Sequence, residues 1–357
     1  MLRIAHILGK TENSACERMI TELYRAIDRE KVQFDFFLCK GSEYLPAEEI
    51  KALGGRIFVL PSPKRRARYR QVLTELLKDN GYSVIQCIGG RLDGDSLKAA
   101  EKAGVPVRIL YSCGGKVKSK LATHLLADCE NAARKSFGAI PVCALNEAAP
   151  PVRIARILPV PADTEALSFS AEKRARARKA LGIPISMKVF GHVGELNRQK
   201  EQSFLMDTFK QLLNQHQNSV LVLYGTGKST DYIQARAIAL GCMSKVVFAD
   251  KRCEYNDLFS ALDCLLITSG QAELPCAAVS AQGAGLYCLI SDKLPHETKF
   301  TDSVQTLSLK CSAEDWACAA LCCTDLRNKK AAKQTAAAGR DIRTVAAELE
   351  KYYTSLL

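Results

Sequence analysis

Short apolar runs alternate with amphipathic stretches along this chain, and the whole alternation occurs twice. In the first half the apolar runs are RIAHIL (3–8), FDFFLC (34–39), RIFVL (56–60), SVIQCI (83–88), VRILYS (107–112) and PVCAL (141–145). Helical patterns separate them at 15–29, 46–53, 66–79, 95–103 and 124–137. Strands joined by helix-length crossovers pair in parallel, and right-handed crossovers put helices on both faces of the sheet. The second half repeats the pattern with runs at 188–194, 219–225, 245–250, 264–270 and 287–292. Its helical stretches fall at about 201–215, 229–240, 254–262, 276–285 and 313–325. Two doubly wound α/β domains are the expected fold.

Between the halves, Pro150, Pro151, Pro159 and Pro161 interrupt any regular pattern, and a basic helix (AEKRARARKAL, 171–181) leads on to Gly182 and Pro184. Such a breaker-rich stretch reads as a linker. It divides the chain into 1–160 and 161–338, with a final amphipathic helix over 339–357. At 357 residues the chain is long enough for two separate cores. No run approaches the roughly 18 apolar residues that span a bilayer. MLRIAHIL (1–8) is too short for a signal sequence and carries Arg3 and His6, so it reads as a first strand.

Fifteen cysteines raise the question of disulfides or a metal. There is no CxxC pair, and the tight group Cys318, Cys322 and Cys323 lies in a helical stretch. Cys39, Cys87, Cys264 and Cys288 fall in apolar strand-like runs, where a thiol behaves as a small hydrophobe. Reduced thiols in a cytoplasmic protein are expected, with no metal.

The net charge of +12 is unevenly shared: residues 1–160 hold 26 Lys and Arg against 17 Asp and Glu. The densest basic segment is Lys64, Arg65, Arg66, Arg68 and Arg70. Near an anionic membrane such residues each contribute about 1 kcal/mol. A peripheral contact with the inner face of the membrane and a solvated helix face both fit the cluster. Nucleic acid does not, because no aromatic platform accompanies the charge.

Several segments together resemble the family-4 glycosyltransferases of bacterial capsule and exopolysaccharide clusters. They include LYRAIDREKVQFDF (23–36), EEIKALGGRIFVLP (48–61), AEKAGVPVRI (100–109) and FGHVGELNRQKEQSFLMDTF (190–209). LVLYGTG (221–227), LPCAAVSAQGAGLYCLISD (274–292) and DIRTVAAELEKYYTSL (341–356) complete the set. The resemblance implies the GT-B architecture, two Rossmann-like domains facing across a cleft, with helix 339–357 packing back on the first. The first domain would take the acceptor and the second the nucleotide sugar. The family transfers a sugar from a nucleotide diphosphate to a hydroxyl, usually retaining the anomeric configuration and without a metal or other cofactor.

Such a site must neutralise the departing diphosphate with cations and backbone N–H groups. By resemblance an Arg and a Lys five residues apart do this. Lys200 holds the Lys position, but Glu195 stands at the Arg position. Asn197 lies between them on the donor side. Gly225 and Gly227 match a Gly-x-Gly that lets the backbone approach the donor. A pair of glutamates eight apart falls on Ala272 and Ser280, so both carboxylates are missing, and Glu273, one place late, is the remaining catalytic candidate. In the first half a Gly-Gly loop corresponds to Ser14-Ala15, with Glu17 retained. The family's central histidines fall on Gln86, Ile88, Tyr111 and Cys113, and its Asn-Gly on Val160-Pro161. His192, His296 and Glu297 are further candidates near the donor, and His124 has a packing role.

The departures cluster at ligand positions while core patterns persist. Two expectations follow. One is a glycosyltransferase acting on a nucleotide sugar and a glycan or lipid-linked acceptor. The other is an inactive relative that binds or scaffolds, for example beside a sister glycosyltransferase.

Overall fold

The computed structural model describes residues 1–9, 15–42, 46–62, 64–88, 93–111, 139–146, 154–249, 252–269, 276–294, 296–322 and 327–357. The chain forms two compact units: Met1–Val160 with Ile342–Leu357, and Pro161–Asp341.

The first unit holds strands β1 (Leu2–Gly9), β2 (Val32–Cys39), β3 (Arg56–Leu60), β4 (Val84–Ile88), β5 (Val107–Tyr111), β6 (Ala139–Asn146) and β7 (Ile154–Pro159). Their order in the sheet is β3-β2-β1-β4-β5-β6-β7. The first five run parallel, whereas β6 is antiparallel to both β5 and β7. The linker expected over 150–163 is therefore in part a strand. Pro150 and Pro151 lie outside the described residues, and Pro159 is the last residue of an edge strand, where a missing N–H costs little.

Helices α1 (Ala15–Ala26), α2 (Ala47–Ala52), α3 (Arg66–Asp79) and α4 (Asp93–Ala103) connect the parallel strands. A core on one side of the sheet joins Ala5, Ile7, Phe37, Tyr69, Leu73, Ile85, Cys87 and Leu97. At the amino end of the sheet Asp35 is completely buried. Its carboxylate accepts from Arg3, Arg56 and the Tyr82 hydroxyl at 2.6–3.0 Å, so no oxygen is left without a donor. Burial alone would raise its pKa, but these hydrogen bonds outweigh burial and hold the carboxyl well below the usual range.

The second unit holds strands β8 (Lys188–Val193), β9 (Ser219–Tyr224), β10 (Val246–Phe248), β11 (Cys264–Ile267), β12 (Cys288–Ser291) and β13 (Val304–Leu307). They are parallel throughout and ordered β10-β9-β8-β11-β12-β13. Strands β9, β11 and β12 are buried at every position, as expected of parallel strands covered on both faces. The helices are α5 (Ala171–Ala180), α6 (Gln199–Gln215), α7 (Thr230–Ala239), α8 (Tyr255–Ala261), α9 (Cys276–Gly283), α10 (Ala313–Cys322) and α11 (Ala331–Ala337).

The basic helix of the sequence is α5. Ser170 caps it by accepting from the Lys173 N–H at 3.2 Å. Its charge is spent inside the unit: Arg174 and Arg178 grip Asp263 at 2.6 and 2.8 Å, and Arg176 pairs with Asp257.

The last helix, α12 (Ile342–Ser355), belongs to the first unit and starts three residues later than the sequence pattern suggests. Gly339, at φ +66°, takes the left-handed conformation that closes α11, with the Arg340 N–H returning to Thr335 O. Ile342, Val345, Ala346, Leu349, Tyr352 and Tyr353 form the buried face of α12, at the spacing of one helical stripe. Tyr353 donates to Gln86 Oε1 at 2.6 Å. Beside it His6, fully buried, sits 4.1 Å from Phe34 and 6.4 Å from Tyr353, centroid to centroid. Neither ring nitrogen has a hydrogen-bond partner among the described residues. Burial pushes this histidine down to about 3, so it is neutral.

Candidate functional site

In a doubly wound sheet, ligands lie beyond the carboxyl ends of the strands where the strand order reverses. In the second unit that point lies between β8 and β11. The loop after β8 and the loop after β9 are laced together there. Gly194 N–H donates to Tyr224 O at 3.0 Å, Leu196 N–H to Thr226 O at 3.1 Å, and Ser229 N–H to Leu196 O at 2.7 Å.

Gly225 and Gly227 make this lacing possible. A Cβ on Gly225 would lie 2.0 Å from Gly194 O, and one on Gly227 would lie 2.3 Å from Leu196 O. The sequence reading gave these glycines to the donor. In the structure they face the neighbouring loop, and any approach of a donor comes on top of that role.

Asn197 completes the lacing with its side chain. Its Oδ1 accepts from the Lys228 N–H at 2.8 Å, and its Nδ2 donates to Glu195 Oε2 at 2.8 Å. Gln202, buried in α6, donates to the Glu195 carbonyl at 3.2 Å. Glu195 is thus an exposed carboxylate held at both backbone and side chain.

Lys200 is the second residue of α6 and is exposed. A cation in the first turn opposes the helix dipole, so propensity alone does not explain it. Among the described residues it makes no ion pair, not even with Glu195. Arg198, just before it, is 3.4 Å from Glu201. The same turn is tied to β11 by the Thr268 hydroxyl, which donates to Glu201 O at 3.1 Å. Lys200 therefore stands on a fixed turn at the end of two central strands.

His192, in β8, is buried, and its Nδ1 is 3.1 Å from Leu266 O. Donation to that carbonyl leaves Nε2 unprotonated. Burial lowers its pKa, which makes this a neutral histidine at the strand end.

Ser280 lies buried in α9 and accepts from the Tyr255 hydroxyl at 3.2 Å. The Tyr255 ring packs edge-on against Tyr224, 5.9 Å away, immediately before Gly225. The sequence reading missed both tyrosines. Their one signal was position: Tyr224 precedes the Gly-x-Gly, and Tyr255 opens α8.

Ala272 and Glu273 lie outside the described residues, as do Ser14, Cys113 and His124. His296 is exposed in a short 3-10 turn. In the first unit Glu17 is buried on α1 and Ile88 is buried at the end of β4, while Tyr111 ends β5. Gln86 is completely buried and engaged by Tyr353, which makes it a core residue. Val160 is buried, and the division between the units falls after it.

The basic segment opens α3, with Arg65 as its N-cap residue. Arg66 and Arg70 share Asp95 at 3.5 and 3.7 Å, and Arg68 donates to Gln71. Lys64 and Arg65 have no ion pair among the described residues, so only part of the cluster's charge is unspent. Among the described residues no helix is long and apolar enough to cross a membrane. No group of three or more His, Cys, Asp and Glu among them could hold a metal ion.

Comparison with known proteins agrees with this fold. The sequence model of the family described as "Glycosyl transferases group 1" matches residues 173–340. The putative glycosyltransferase EpsF of Bacillus subtilis (strain 168) is 28% identical over 313 residues, covering 82% of this chain and 79% of that protein. Among solved structures, Anabaena Alr3699/HepE in complex with UDP and glucose superposes with a TM-score of 0.73 at 15% identity, over 99% of this chain and all of that one. Sucrose-phosphate synthase of Thermosynechococcus elongatus gives a TM-score of 0.69 at 15% identity, over 100% of this chain and 99% of that one. The fold is GT-B, and the second unit matches the group 1 glycosyltransferase family almost throughout.

Proposed function

We propose that the second unit takes a nucleotide-diphosphate sugar at the ends of β8 and β9. The sugar passes to a glycan or lipid-linked acceptor in polysaccharide assembly, without a metal and with retention at the anomeric carbon. The observation that carries the reading is Lys200: a lysine with no ion pair among the described residues, exposed in the first turn of a 17-residue helix. A diphosphate placed there would meet an ammonium group and N–H groups at the helix start. The HepE relative holds UDP and glucose, the same ligand class.

Glu195 favours a second reading, in which the chain binds its ligands or a sister glycosyltransferase and does not turn over. A carboxylate fixed by Asn197 puts negative charge beside Lys200 in sequence, and Ser280 offers one hydroxyl where a ribose diol takes a bidentate carboxylate. The cations Lys64, Arg65 and Arg68 support peripheral docking on an anionic membrane.

Calorimetric titration with nucleoside diphosphates and their sugars tests the first reading. Wild-type protein should bind one of them, and Lys200→Ala should weaken that binding about tenfold. No binding across the panel would leave the scaffolding reading. Release of the nucleotide on adding acceptor then separates transfer from binding alone.

A further inference from the structure

The second unit has another concave surface, at the opposite end of its strands. A cavity of about 680 Å³ is lined by Thr164, Phe169, Arg174, Asp263, Arg327 and Lys329 among others. Asp263 immediately precedes β11, so this cavity lies at the amino end of that strand, whereas Lys200 stands near its carboxyl end.

The charge around the cavity does not balance. Asp263 is the one carboxylate among the described residues that line it, and its oxygens are already taken by Arg174, Arg178 and the Val189 N–H. Arg327 and Lys329 have no carboxylate partner among the described residues. Arg327 is held firmly. Its Nη2 donates to the carbonyls of Phe259, Ser260 and Leu262 at the end of α8, and its guanidinium lies 4.7 Å over the Phe169 ring. Its Nη1 is buried and lacks a hydrogen-bond partner among the described residues. Burial and the neighbouring Arg174 lower this guanidinium to about 10, a direction consistent with uncompensated positive charge.

A buried donor without an acceptor costs free energy, and a ligand oxygen placed on it recovers that cost. With Nη2 committed to the three carbonyls, Arg327 Nη1 is left to donate to a planar or tetrahedral oxygen of an anion, while Lys329 adds a mobile charge at the rim. Phe169, partly exposed, and the Thr164 hydroxyl suit an organic body with hydroxyl groups.

We propose that this cavity binds a small phosphomonoester, such as a sugar phosphate, through Arg327 and Lys329, at a site separate from the donor surface. The ligand would tie the end of α8 to the segment that opens α11, two elements otherwise joined by the Arg327 side chain.

The test is calorimetric titration of the full chain at fixed ionic strength, with inorganic phosphate and with glucose 6-phosphate. Saturable binding is expected, with glucose 6-phosphate the tighter ligand. Lys329→Glu, an exposed substitution, should weaken it about tenfold or more. Arg327→Met should abolish it; if that variant fails to fold, Lys329→Glu decides alone. Lys200→Ala should leave phosphomonoester binding unchanged, which separates this site from the donor surface whatever the fate of the donor reading. Absence of saturable binding, or binding indifferent to Lys329→Glu, would overturn the proposal, as would loss of binding in Lys200→Ala. Equal affinity for the two ligands would reduce the site to bare phosphate and overturn the phosphomonoester assignment.

Discussion

The Asn197 side chain donates to the Glu195 carboxylate at 2.8 Å while accepting from the Lys228 backbone at 2.8 Å. One side chain thereby fixes both the loop after β9 and the charge at the end of β8. Glu195 is consequently a built feature of the site, held in one place relative to its own loop, and its effect on a diphosphate can be measured directly.

The glycine lacing gives the first prediction. Gly227→Ala would place a Cβ 2.3 Å from Leu196 O, so one loop must move. The expected result is loss of nucleotide binding with the fold retained, read by titration beside circular dichroism. Unchanged binding would show that the loops separate without consequence.

Asp35 gives the second. Asp35→Ala leaves Arg3, Arg56 and Tyr82 without their shared acceptor, and should cost about 3 kcal/mol in chemical denaturation. Because the folded carboxyl sits below its unfolded value, its contribution is complete above about pH 4 and is lost as pH falls further. The variant should therefore show a flatter acid limb than wild type.

His6 acts in a different window. It is neutral in the fold, with a folded value of about 3, and protonates in the unfolded chain near its ordinary value of about 6.5. The unfolded state binds the extra proton, so stability is complete above about pH 6.5. It falls by about 1.4 kcal/mol per unit as pH drops from there towards 3. His6→Phe should remove that slope, measured by urea midpoints between pH 7 and 4.5. A slope unchanged in the variant would contradict the assignment.

The basic segment gives a prediction that the sequence alone could not order. Arg66 and Arg70 share Asp95, so charge reversal at Arg65 and Arg68 should reduce binding to anionic vesicles more than reversal at Arg66. Binding should also fall with added salt. Equal effects at the three positions, or indifference to salt, would leave a solvated helix face.

Much of this architecture is written in the alternation of apolar runs, since parallel strands buried on both faces need continuous apolar sequence, as in VLVLY and CLLI. Strand β7 escaped notice because Pro159, a residue that reads as a breaker, ends it at a sheet edge, where a missing N–H costs little. Strand β13 (VQTL) escaped because it is an edge strand with two exposed positions and no continuous apolar run, and α11 (AAKQTAA) because it carries no large apolar residue to mark a face. At the site, sequence found Lys200, Glu195 and the glycines by position. It could not show that the glycines serve loop-to-loop contact, nor that Tyr255 reaches Ser280 from 25 residues away, because those relations exist only once the sheet has formed. The packing role of Gln86 was hidden for the same reason: its partner Tyr353 lies 267 residues further on.

The most direct measurement is the affinity of a nucleoside diphosphate for wild-type protein and for Glu195→Arg. The substitution removes a fixed carboxylate and adds a cation capable of bidentate contact, five residues before Lys200. A gain of about tenfold or more is expected, lost again when Lys200→Ala is added. If wild-type protein already binds a nucleotide sugar at micromolar levels (about −8 kcal/mol) and Glu195→Arg weakens it, Glu195 belongs to a reworked active site, and the account of a site weakened by its own carboxylate is wrong.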